Sequence, residues 1–119
     1  MALTEQVEAV RRGDEKGMLV VRLDRDGELS GIGLNPRHLA LSFVKVWELA
    51  ALAEEMEACA LVIVLVPGGS DRDPTPHEIQ AFVDLRARAH RAQLTLVDCI
   101  VVRGEMSWSL RELSVDRGL

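Results

Sequence analysis

The chain has 119 residues, 48% hydrophobic and 28% charged, ordinary globular values that argue against long disorder and fit one domain with a single core. The net charge of −5 and pI near 5.2 disfavour broad contact with a phosphate backbone, which would need a local basic patch. No apolar run reaches the ~20 residues that cross a bilayer, and the N-terminus lacks a basic-then-apolar signal layout, so a cytoplasmic protein without membrane or nucleic-acid partners is expected.

Thr4 caps a predicted short helix through about Arg12, with Val7 and Val10 on one face. Asp14-Glu15-Lys16 links it to a strand from Met18 to Leu23. Asp24-Arg25-Asp26-Gly27 predicts a hairpin turn, and Glu28 to Leu34 an antiparallel return strand. Asn35 as cap and Pro36 at the first position then open a predicted long helix to about Ala58. Its core stripe is Leu39, Phe43, Val46, Ala50 and Ala53, flanked by Trp47, which should be buried. Leu41, Leu49 and Leu52 fall on the opposite side, where three leucines suggest a subunit contact.

Leu61 to Val66 is continuous, β-branched and uncharged, the pattern of a central strand. A loop from Pro67 to Arg72 follows. Thr75-Pro76-His77-Glu78 is a capping box, and the helix it opens carries Ile79, Phe82, Val83, Leu85 and Ala89 inward to about Ala92. Arg86, Arg88, His90 and Arg91, beside Asp84, are the nearest thing to a basic patch and read as a solvated helix face. Leu94 to Val102 is a second buried strand, interrupted by Asp98, and a last strand runs from Met106 to Leu110. The order is α-ββ-α-β-α-ββ. It predicts one α/β domain with a mixed sheet between helical layers: residues 1–16 a helix and link, 17–112 the core, 113–119 a tail.

Chemistry-bearing residues are sparse. The Pro67-Gly68-Gly69-Ser70 loop lacks the spacing of a phosphate-cradling loop. Ser70 has no evident base, and His38, His77 and His90 each stand alone. Cys59 and Cys99 have no Cys-x-x-Cys partner and read as buried thiols in a reducing compartment. Apolar neighbours make Cys99 a poor nucleophile. Asp98, a carboxylate inside an apolar strand, is expected to accept backbone N–H bonds and to hold the 67–72 loop. Trp108 alternates with Ser107 and Ser109, and is either core or an anchor at a sheet edge.

The run from the Leu61–Val66 strand through Asp73-Pro74-Thr75-Pro76, with Leu96-Val97-Asp98 and Ser109-Leu110-Arg111-Glu112 beyond it, resembles the RadC-like form of the JAB/MPN metalloprotease family. Leu23-Asp24 and Asn35-Pro36-Arg37-His38 extend the likeness, which runs from about Gly17 to Glu112. The resemblance implies a cytidine-deaminase-like α/β topology. In that family two strand-end histidines and a helix aspartate hold zinc, and a glutamate activates the metal-bound water.

Aligned through Asp73-Pro74-Thr75-Pro76, the histidine positions fall on Pro67 and Gly69. The assisting serine becomes His77, the ligand aspartate Gln80, and the glutamate Lys16. Asp98 matches the aspartate of the family's Leu-Asp-His strand, with Cys99 in place of its histidine. The resemblance therefore implies a degenerate site without a metal cofactor, and a pseudoenzyme acting as a protein-interaction or scaffolding module, a homodimer by expectation. Leu41, Leu49, Leu52 and Trp108 are its candidate interface. The rival is a zinc hydrolase with rearranged ligands drawn from Asp71, Asp73, His77 and Glu78, with Asp98 or Cys99 approaching them. A DNA-repair role rests on the RadC name alone.

Overall fold

The computed structural model describes residues 17–23, 29–34, 41–58, 60–66 and 72–118. The predicted N-terminal helix, the hairpin turn, the Asn35-Pro36 cap, Cys59 and the loop from Pro67 to Asp71 lie outside them. Strands β1 (Gly17–Leu23), β2 (Leu29–Leu34), β3 (Ala60–Val66), β4 (Thr95–Arg103) and β5 (Met106–Ser109) form one five-stranded mixed sheet in the order β2-β1-β3-β4-β5. β1 pairs antiparallel with both β2 and β3, β3 parallel with β4, and β4 antiparallel with β5. Helix α1 (Val46–Glu55) precedes β3, α2 (Pro76–Arg91) joins β3 to β4, and α3 (Leu110–Asp116) follows β5. A parallel pair requires such a crossover, because a tight turn can only return a chain antiparallel.

All residues of β3 from Leu61 to Val66 are buried. Successive side chains point to opposite faces, so both faces of this strand are out of solvent, which is why it reads as an uninterrupted apolar run. On one face Val20, Ile63 and Cys99 line up across three strands, each 0% exposed. Ile79, Phe82, Leu85 and Ala89 of α2 complete that core, joined by Leu49 and Ala53 of α1 and by Leu110. Against β3 the pairing slips between Leu61/Leu96 and Val62/Asp98, so Val97 is an extra residue in β4, a bulge.

Helix α2 begins as its sequence predicts. Thr75 Oγ1 accepts the Glu78 N–H at 3.2 Å, and Glu78 reaches back toward the Thr75 N–H at 3.5 Å. Pro76 takes the first position, where its missing N–H is no loss.

The long helix is not continuous. A short 3-10 turn at Leu41–Phe43 comes first, then Lys45 in an extended conformation (φ −97°, ψ 138°), then α1. That break resets the helical phase and corrects two expectations. Leu41 and Leu49 are 4% and 0% exposed and Leu52 packs against the core, so these leucines are the chain's own interior and not a subunit contact. Trp47, expected inside, is 72% exposed. The reading of one helix from Pro36 gave weight to alanines at 50 and 53 and so placed the stripe some 60° from where Leu49, Ala53 and the half-buried Val46 and Leu52 put it.

The C-terminal segment also differs from its expected form. Residues 110–116 form α3, not the end of a strand and a tail, and Leu110 and Ser114 are buried. Ser109 Oγ accepts the Glu112 N–H at 3.2 Å. The Ser-Leu-Arg-Glu sequence is itself an N-cap signal.

Candidate functional site

The parallel strands β3 and β4 end on the same side of the sheet at which α2 starts. The crevice beyond such carboxyl ends is where open α/β sheets place their ligands. Of the positions that the family resemblance marks, His77 and Gln80 lie at this end, on the start of α2. Lys16, Pro67 and Gly69 lie outside the described residues. His77 and Gln80 sit on the first turns of α2, both exposed, and Gln80 Nε2 donates to Asp84 Oδ1 at 2.9 Å. They line a shallow groove of about 170 Å³ together with Ser42, Asp84 and Arg88.

Asp98 is elsewhere, 8% exposed and fully engaged. Its Oδ1 accepts the Cys99 N–H at 2.7 Å and the Arg111 N–H at 3.0 Å, and its Oδ2 accepts the Ser109 hydroxyl at 2.6 Å. The carboxylate thus caps α3 from the neighbouring strand. Its negative charge faces the positive end of the helix, where free N–H groups collect. Of the 67–72 loop that Asp98 is expected to hold, Arg72 alone is described, and its carbonyl accepts from another residue.

That residue is Arg103, which sequence reasoning passed over. It closes β4 and is 3% exposed, a buried cation that needs partners. Its Nη2 meets Glu78 Oε2 at 2.7 Å, and its Nη1 donates to the Arg72 carbonyl at 3.2 Å. Arg72 Nη1 approaches Glu78 Oε1 at 3.0 Å. Glu78 therefore serves two guanidinium groups and its own capping box. Burial alone would raise its pKa. The hydrogen bonds from Arg103 and Arg72, the Arg103 charge and the Thr75 N–H outweigh burial, so the carboxyl titrates below its ordinary 4.5. An arginine directly after Val101-Val102, at the close of an apolar strand, was the available signal.

Cys99 is a free, wholly buried thiol. Burial first, then the nearby charges of Asp98 and Glu78, push its pKa far up, so it is held as the thiol. Among the described residues no three His, Cys, Asp or Glu side chains stand together as a metal ion would require. His77 and Asp98, two members of the rearranged zinc set, have the separate surroundings given above, and Asp73 is exposed.

Compared with known proteins, the chain matches no protein-family model and no curated protein. Function is therefore argued from the site.

Among the described residues no helix is long and apolar enough to cross a membrane. Trp108 is half-buried on β5 opposite Val101. β5 and β2 are the two outer strands of the sheet.

Proposed function

We propose that the chain is a RadC-like JAB/MPN-type domain without the hydrolytic centre, working as a protein-interaction or scaffolding module that associates with itself. One observation carries this reading. Two carboxylates that the site would call on have their oxygens committed to the fold, Glu78 at the start of α2 to Arg103, Arg72 and Thr75, and Asp98 farther back in β4 to three donors. A carboxylate so occupied is poorly placed to bind a metal or to shuttle a proton. His77 and Gln80, at the positions of the family's serine and ligand aspartate, face solvent in a shallow groove. The order of elements, ββ-α-β-α-ββ-α with the parallel pair at β3 and β4, supports the family resemblance.

The leucines first considered for an interface are interior. The surface candidates are now Trp47, Met106 and the half-buried Trp108. Aromatic and methionine side chains are enriched at interfaces because they bring large contact area at low entropic cost.

The test is the metal content of tag-free protein purified without chelator, with its mass in solution. Less than a tenth of an equivalent of zinc and a mass above the monomer are expected. About one zinc per chain would favour the rearranged hydrolase and sink this reading.

A further inference from the structure

We infer that the groove between α2 and the start of β4 receives the exposed face of α1 from a second copy of the chain. The inference rests on the self-association proposed above and gives it a surface. The groove, about 360 Å³, is floored by apolar Val83, Ala87, Leu94 and Leu96 and edged by Arg86 and His90. Arg86 is held over the Phe82 ring, 5.1 Å from its centroid, so its guanidinium is fixed at the rim and not free to wander.

The complementary surface is α1. Its inner side carries buried Leu49 and Ala53. Its outer side carries Trp47, Ala51, Glu54 and Glu55, spaced at one and two helical turns and all exposed. Trp47 is 72% exposed, so among the described residues it fills no groove. An indole followed at one to two turns by two carboxylates matches an apolar trough with a guanidinium on its edge.

Charge narrows the choice of occupant. With a net charge of −5, two copies repel at most relative orientations. The approach that brings Glu54 and Glu55 of one copy to Arg86 of the other is the one that local charge favours. Each copy offers both surfaces, so a two-fold arrangement makes the contact twice. A tryptophan buried on association is the residue type that dominates such interfaces.

The experiment is sedimentation velocity of the full chain over a concentration series, with circular dichroism to verify folding. Trp47→Ser, Arg86→Glu and the double change Glu54→Lys with Glu55→Lys should each raise the dissociation constant about thirtyfold or more. Arg86 packs on Phe82, so Ala87→Glu at an exposed position serves as a second groove variant.

Mixing the double lysine variant with Arg86→Glu should restore the dimer. In that mixture one contact pairs Lys with Glu and the other is the unaltered pair, whereas each variant alone is mismatched. A wild-type dimer that survives all of these changes, or variants that fail to rescue one another, would overturn this surface and leave self-association standing. A wild type that stays monomeric at its highest soluble concentration would overturn both.

Discussion

Asp98→Ala removes one buried acceptor group and strands three donors. The Cys99 N–H is inside the core, and leaving it unpaired costs about 1–3 kcal/mol. The Arg111 N–H is at the open end of α3, where losing a carboxylate cap costs about 1 kcal/mol. The Ser109 hydroxyl is half-buried and can turn to water, which limits its loss to about 0.5–1 kcal/mol. The sum is about 2.5–5 kcal/mol, a large part of the ~5–15 kcal/mol that holds a domain together. For a chain of this length it lowers Tm by roughly 10–20 °C. Asp98→Asn keeps one acceptor oxygen and should cost about half as much.

Urea titrations give the free energies, and amide hydrogen exchange localises them. The amide of Arg111 and those of Leu110 to Leu113 should lose protection beyond the global drop. An Asp98→Ala cost below about 1 kcal/mol, or no extra exchange in α3, would refute the capping role.

Glu78→Ala leaves Arg103 buried without its counter-ion and should cost about 3–5 kcal/mol, whereas replacing both together by Leu and Met should recover much of it in a double-mutant cycle. Because the folded pKa of Glu78 lies below its ordinary value, the stabilisation is present at neutral pH. It is lost as pH falls from about 4.5 through the lowered folded value, so urea midpoints of wild type and Glu78→Gln should converge in acid. Phe82→Ala, at a 0% exposed site facing the sheet, should cost about 3–5 kcal/mol by denaturant midpoint. Cys99 should resist alkylation in native buffer and react fully in denaturant, as read by peptide mass mapping, and rapid native labelling would contradict its burial.

What the sequence announced clearly were elements whose local signals agree with their packing. β3 is an uncharged β-branched run, and α2 has a capping box, a proline at the first position and apolar residues at helical spacing. α1 was misphased because its start is set by Lys45, a residue with no cap signature, and because alanines satisfy an apolar period without fixing which side turns inward. The site residues divide the same way. Asp98 stood out as a charge inside a strand, but its partners come from residues 109 and 111, and no local pattern names them. Arg103 and Glu78 are 25 residues apart, and their pairing follows from the parallel register of β3 and β4, which only the fold reveals.

The Asp98 bond to α3 also orders events during synthesis. The carboxylate leaves the ribosome eleven residues ahead of the Ser109 hydroxyl, an interval of about one second at ordinary elongation rates. Until those later residues arrive, the face of β4 opposite Cys99 keeps a carboxylate open to water. Docking of β5 and α3 is therefore the step that seals the sheet, and a nascent chain stalled before residue 109 should remain protease-sensitive even with β3, α2 and β4 already made.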